Sequence, residues 1–302
     1  MFKVAVLGNW GTALEILKIL NTSKNISVEF VFTQYCEKGI GGSWCNVVYD
    51  YAKEYEIDVF EQKKNKKRLL SMLEMKNIDL LVSVAYPYLI NKNILDYMEN
   101  KRGVVNLHGS LLPKYRGTTP IPWAIIDNEK YIGMTLHYID EGCDTGDIIY
   151  QDKIENKNED SIDVISDKLK EKAKNMFTLF LDDINNNKLI NRMPQDNSLA
   201  CDAPRLKDSD LKLDFSRDFN SILSFYKGTR PYKIYLTYKN KKHFIKTISM
   251  TPNKTEVSIN TIIDVYSQQK IVVASMDYDL ILILESANSN MIDFVIGDKV
   301  NE

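Results

Sequence analysis

Three side chains in this 302-residue sequence could together do acyl-transfer chemistry: Asn106, His108 and Asp144. Asn106 and His108 stand two residues apart at the end of the apolar run 104–107. On an extended strand end they project to the same side and can act on one atom. Acyl transfer onto an amine passes through a tetrahedral intermediate, which needs a donor for the developing oxyanion and a group to manage the proton of the attacking nitrogen. An amide and an imidazole suit those roles. Asp144, in a loop between Gly142 and Gly146, can accept a proton or hold His108 in one tautomer and stabilise its charged form. Taken singly, each has a plain alternative: a turn former, a satisfied histidine, a loop cap. His137, on an alternating strand, can support such a site by packing or act in it directly, and His243 reads as structural.

The elements that must position these residues follow from hydrophobic periodicity. Residues 4–7, the turn Gly8-Asn9-Trp10-Gly11 and the apolar spacing Leu14, Leu17, Ile19, Leu20 read as strand, tight turn and helix. Strands follow at 28–32, 57–60, 78–85 and 104–107, with helices at 47–55 and 66–75. Two alternating strands at 135–139 and 147–154 precede a long amphipathic helix at 161–186, capped by Asp160 or Ser161. This order predicts an α/β fold, a doubly wound, Rossmann-like parallel sheet with ligands beyond the strand carboxyl ends. The dinucleotide fingerprint is incomplete, because Gly8 and Gly11 lack the glycine between them, so a dehydrogenase is disfavoured. Beyond residue 190 the chain turns polar and irregular, with Pro194 and Pro204, and then gives short strands at 234–238, 243–248, 256–265, 270–274 and 280–284. The expected organisation is a catalytic domain at 1–190, a linker at 191–208 and a small β-barrel, OB-like domain at 209–302.

Lys and Arg number 39 against 41 Asp and Glu, a formal net charge of -2. Nucleic-acid binders usually carry a basic face, so no nucleic-acid partner is expected. The run Lys63, Lys64, Lys66, Lys67, Arg68 reads as a solvated helix start. Cys36, Cys45, Cys143 and Cys201 show neither metal-ligand spacing nor a disulfide framework and read as reduced thiols, with no metal implied. No apolar run is long enough for a membrane span, and a cytoplasmic location without membrane partners is expected.

From Asn106 the sequence runs N-L-H-G-S-L-L-P-K-Y-R-G-T-T-P-I-P-W-A-I-I, and from Gly133 G-M-T-L-H-Y-I-D-E-G-C-D-T-G-D-I-I. It resembles the formyltetrahydrofolate-dependent formyltransferases, whose pattern N-x-H-x-S-L-L-P-x-Y-R-G, then G-x-T-x-H and D-x-G, is matched at nearly every fixed position. The resemblance implies a catalytic trio of Asn106, His108 and Asp144 and N10-formyltetrahydrofolate as formyl donor; His137 also matches a family position. Tyr88, Leu89 and Ile90, Ser110, Leu111, Leu112 and Pro113, the loop of Asp140, Glu141, Gly142 and Cys143, and Thr118 resemble the family's folate pocket. There backbone groups would read the pterin edge while Leu89 and Ile90 cover its faces.

Within the family, methionyl-tRNA formyltransferases are the alternative, since they share a small carboxyl-terminal barrel. The segment 211–236 resembles the opening of that barrel. Against tRNA stand the charge balance, the lack of a basic glycine-rich insertion after Gln34, where the chain has Gly41-Gly-Ser-Trp44, and Pro122-Trp123 in place of a Gln-Arg pair. The PKYRG and WAII stretch is more similar to the nucleotide-sugar N-formyltransferases of lipopolysaccharide-type sugar synthesis, including those acting on dTDP-sugars. In that reading Lys114 and Arg116 meet a diphosphate, while Trp10, Tyr115 or Trp123 stacks on a base or sugar. Arg116 has a second reading as a loop brace, Trp123 as core, Trp10 as packing on the sheet edge. A homodimer is compatible with all of this.

Overall fold

A computed structural model of the chain describes residues 1–36, 45–157, 160–285 and 293–301; the segment Gly41–Trp44 read above lies outside them. The chain folds as two compact units, one of Met1–Pro120, Tyr131–Glu155 and Asp163–Pro204, the other of Ile121–Lys130, Asn156–Ile162 and Arg205–Glu302.

The first unit is built on a seven-stranded sheet: β1 (Phe2–Gly8), β2 (Ile26–Thr33), β3 (Val59–Glu61), β4 (Leu80–Val84), β5 (Val104–His108), β6 (Tyr131–Tyr138) and β7 (Ile148–Glu155). The spatial order is β3-β2-β1-β4-β5-β6-β7. Strands β1 to β5 are parallel, and the runs VAVL of β1 and LLVSV of β4 are buried throughout, as strands covered on both faces require. The sequence leads one to expect a parallel sheet throughout; β6 and β7 instead run antiparallel to their neighbours. The alternating burial along β7 is the mark of an antiparallel edge, while β6 inside it is buried from Ile132 to His137. The chain crosses from the β1 side to β4, which makes the carboxyl ends of β1 and β4 the topological switch point. The helix Trp10–Thr22 buries Ala13, Ile16, Leu17 and Leu20, an i, i+3, i+4, i+7 stripe. Asn91 caps the helix Lys92–Glu99 by accepting from Ile94 N–H at 3.1 Å. The long helix begins at Ile162 and ends at Asn185.

The second unit carries β8 (Tyr235–Tyr238), β9 (Lys241–Met250), β10 (Ile262–Ser267), β11 (Lys270–Ala274) and β12 (Asp279–Leu284) in one antiparallel sheet ordered β10-β11-β12-β9-β8. The ladder does not close, so the expected barrel is a half-barrel with β10 and β8 at its edges. The β8–β9 hairpin turns on Lys239 and Asn240, both at positive φ (49° and 59°). The helix Phe219–Gly228, absent from the sequence reading, is capped by the Asp218 side chain and buries Ile222 and Phe225. Leu213, Phe215, Leu236, Tyr238, Ile262, Ile271, Val273, Leu280 and Leu282 complete this core.

One thiol expectation is corrected. Cys36 and Cys45 are joined by a disulfide, while Cys143 and Cys201 are free. The Asn46 amide donates to Cys36 O and accepts from Cys36 N–H, both at 2.8 Å, which brings the two Cα atoms to 6.3 Å, within disulfide reach. A spacing of nine residues gives no hint of this from sequence.

Candidate active site

The register of β5 and β6 assembles the polar cluster. Asn106 lies opposite His137, and His108 opposite Thr135. The two-residue spacing on each strand therefore places four polar side chains on one patch of the sheet. Asp144 arrives from the loop after β6 and sits among them. Its Oδ1 is 3.4 Å from Asn106 Nδ2 and 3.6 Å from His137 Nε2, and its Oδ2 is 3.5 Å from His108 Nδ1. Oδ2 also accepts the Gly117 N–H at 2.9 Å. The three residues singled out from sequence thus converge around one carboxylate.

Carbonyl partners fix both imidazole tautomers, because a carbonyl oxygen only accepts. His108 Nε2 is 2.8 Å from Tyr115 O and so carries the proton, leaving Nδ1 to face Asp144. His137 Nδ1 is 2.7 Å from Tyr138 O, so its Nε2 accepts from Asn106 Nδ2 at 3.1 Å. Burial, and the nearby His108, push the His137 pKa down to about 4, keeping it neutral at pH 7. His137 therefore does more than pack: it is a hydrogen-bond acceptor that orients the Asn106 amide. The Cys143 thiol, next to Asp144, is pushed up to about 11 by burial and by that carboxylate, and stays protonated.

The loop after β5 is clamped from β6 and β7. Thr135 Oγ1 donates to Ser110 O at 2.7 Å and accepts from Leu112 N at 3.1 Å, while Gln151 Nε2 donates to Leu112 O at 2.7 Å. Ser110 Oγ donates to Lys114 O at 2.6 Å, and the Leu112–Pro113 bond is cis. The loop of Asp140 to Cys143 is braced by Asp140 Oδ1, which accepts from Gly142 N and Thr145 Oγ1, and Glu141 pairs with Lys92 at 3.3 Å. Asn9 is buried and joins the ends of β1, β2 and β4: it donates to Ala85 O at 2.8 Å and accepts from Gln34 N at 2.8 Å.

Several expected contacts fall differently. Leu89 is exposed and open to a ligand, but Ile90 is buried with Ile94 and Met98 in the core and cannot cover a pterin face. Tyr88 stacks edge-on with Tyr86 and lies under Lys66 Nζ, 4.7 Å from its ring centroid. Tyr115 is buried, which removes it as a stacking surface; its carbonyl serves His108 instead. Arg116 braces the loop, donating to Gln195 Oε1 from Nε (3.1 Å) and Nη2 (2.7 Å) and to Asn197 Oδ1 at 2.9 Å. Thr118 is exposed and bonded to Ala203 O through its N–H. Trp123 belongs to the helix Pro120–Ile126 and packs on the core of the second unit. Trp10 is half-exposed at the carboxyl end of β1, and Lys114 is exposed.

Sequence reasoning singled out neither Gln151 nor Gln195 and met Thr135 only as the threonine of G-x-T-x-H; all three hold the loops. Thr135 had a signal, its place opposite His108 once the two strands pair. Gln195 had none, standing in an aperiodic stretch. Among the described residues, no cluster of three or more His, Cys, Asp and Glu side chains could hold a metal ion, and no helix is long and apolar enough to cross a membrane.

An amide and an imidazole on β5, with a carboxylate from the loop after β6, form a set suited to group transfer through a tetrahedral intermediate. Residues 2–181 match the family described as Formyl transferase, more than half of the chain, and the protein belongs to that family and is a formyl-transferring enzyme. It is 33% identical over 239 residues to a methionyl-tRNA formyltransferase of Clostridium perfringens (strain SM101 / Type A), covering 78% of this chain and 76% of the relative. In fold it is similar to an N-formyltransferase from Helicobacter canadensis in complex with folinic acid and dTDP-3-aminofucose, with a TM-score of 0.69 at 21% identity over 94% of this chain and 100% of the other. A 4-N formyltransferase from Francisella tularensis gives a TM-score of 0.63 at 24% identity over 82% of this chain and 97% of that one.

Proposed function

We propose that this enzyme moves the formyl group of N10-formyltetrahydrofolate to the amine of a nucleotide-linked amino sugar. The observation that carries the transfer is the convergence of Asn106, His108 and Asp144, with both histidine tautomers set by carbonyl partners. When the amine attacks the formyl carbon, the new C–N bond leaves an oxyanion and an ammonium. The Asn106 amide has one N–H committed to His137 and the other on a long 3.4 Å contact to Asp144. That second N–H is the donor an oxyanion can capture. His108 takes the ammonium proton on Nδ1, becoming an imidazolium held between Tyr115 O and the Asp144 carboxylate. Collapse then breaks the bond to N10 as the same proton passes to the leaving nitrogen.

The donor would lie against the loop Ser110–Pro113, the loop of Asp140 to Cys143 and the segment of Tyr88 and Leu89, where main-chain groups fixed by Thr135, Gln151 and Asp140 can read a pterin edge. A sugar acceptor is supported by the net charge of -2 and by Pro122-Trp123. Lys114 and Trp10, both exposed to solvent, remain the candidates to meet the acceptor. Methionyl-tRNA is the second reading, favoured by the name of the 33% identical relative.

The deciding experiment supplies N10-formyltetrahydrofolate with TDP-, UDP- and GDP-linked amino sugars and, separately, methionyl-tRNA, and follows release of tetrahydrofolate. Turnover with an amino sugar is the expected result. Formylation of methionyl-tRNA alone overturns the sugar assignment.

A further inference from the structure

One amide outside the reacting cluster has every hydrogen-bonding position in use. Gln195 Oε1 accepts from Arg116 Nε at 3.1 Å and Nη2 at 2.7 Å, and its Nε2 donates to Asp144 O and Gly146 O, each at 2.8 Å. A glutamine has two acceptor and two donor sites, so none is left over. In the stretch 191–199 every other residue is exposed, while Gln195 is drawn inward. The strap that carries it is pinned at both ends: Met193 exchanges backbone hydrogen bonds with Ile148 at 2.9 and 3.0 Å, and Arg116 N–H donates to Cys201 O at 2.9 Å.

These bonds close a ring. Arg116 is held by Gln195, the next residue Gly117 donates its N–H to Asp144 Oδ2, and the Asp144 carbonyl is held by Gln195 again. Asp144 itself sits at φ 55°, a left-handed conformation open to aspartate and held here by hydrogen bonds on both of its sides. The two Nε2 bonds hold it on the main-chain side. The Gly117 N–H holds it on the carboxylate side.

We propose that Gln195 is a positioning residue that locks Asp144 into register with His108 and Asn106 and couples it to the Arg116 loop. The proposal rests on Asp144 being the catalytic carboxylate. A glutamate at this position would still accept from Arg116 but would turn a carboxylate oxygen toward two carbonyl oxygens, so the donor side is the part that matters.

The test is single-turnover formyl transfer by Gln195→Glu, Gln195→Ala, Asp144→Asn and the double variant Gln195→Ala with Asp144→Asn, each confirmed as folded by circular dichroism. The rate constant should fall about ten- to a hundredfold in both Gln195 variants, the scale of a misplaced reacting group. The KM for the folate donor should stay within about twofold, because its loops are held by Thr135 and Gln151. The double variant should be no slower than Asp144→Asn alone, since the lever has nothing left to move. A Gln195→Glu enzyme at the wild-type rate, or losses that multiply in the double variant, overturns the proposal. An Asp144→Asn enzyme that keeps its turnover instead removes the reading of the site on which the proposal rests.

Discussion

His137 should make the stability of this enzyme fall steeply in mild acid, and the size of the effect can be worked from its surroundings. The ring is buried, with Nδ1 on Tyr138 O and Nε2 accepting from Asn106, and its pKa is lowered from 6.5 to about 4. The unfolded chain therefore takes up this proton before the folded one does. The stabilisation is complete above pH 6.5, is lost as pH falls from there to about 4, and changes no further below. Two and a half pH units at about 1.4 kcal/mol each amount to about 3 kcal/mol, a large share of the stability of an ordinary domain. The comparison that isolates this proton is wild type against His137→Gln, whose amide oxygen can still accept from Asn106 but does not titrate. Urea unfolding from pH 7.5 to 4 should show the wild type losing about 3 kcal/mol relative to the variant. A difference that stays flat across that range would refute the reasoning, as would a His137 ring resonance titrating near 6.5 in carbon-detected NMR.

Asn106→Ala should lower kcat by roughly two to three orders of magnitude, the usual cost of one oxyanion donor, with little change in donor KM. Gly117→Ala should lose both stability and turnover. Gly117 lies at φ +117°, and an added Cβ would come within 2.9 Å of Ala203 O, displacing the N–H that holds Asp144; a thermal melt and a kcat measurement read the two effects. Thr135→Val keeps the shape of a buried side chain but removes the hydroxyl that clamps Ser110 and Leu112. It should raise the KM for the folate donor about tenfold in steady-state kinetics, on the scale of a buried hydrogen-bonding pair left unmet.

The convergence of Asn106, His108 and Asp144 was readable in part because its geometry is local: a two-residue spacing at a strand end says which way Asn106 and His108 point. What surrounds them was not. Strand direction depends on partners far along the chain, so the antiparallel run of β6, and with it the pairing of His137 with Asn106, could not be read from alternation alone. Ile90 and Tyr115 carry side chains equally suited to a core and to a ligand pocket, and only packing sends them inward. Gln195 acts through a segment that pairs as isolated bridges, with no periodicity to detect. The helix Phe219–Gly228 was hidden because its sequence, FNSILSFYKG, is rich in residues of middling helix propensity.

Twelve non-glycine residues among those described have positive φ, and half of them are asparagines, for which that conformation is cheap. Trp10, Ala85, Tyr115 and Asp144 are the exceptions that gather on the loops after β1, β4, β5 and β6. Trp10, Ala85 and Tyr115 each forgo about 1 kcal/mol that an unstrained turn would keep. The end of the sheet that does the chemistry is thus the part with least reason to stay ordered on warming. Loss of activity on heating should precede the cooperative melt by several degrees, with the distal parts of the sheet still intact when turnover has gone.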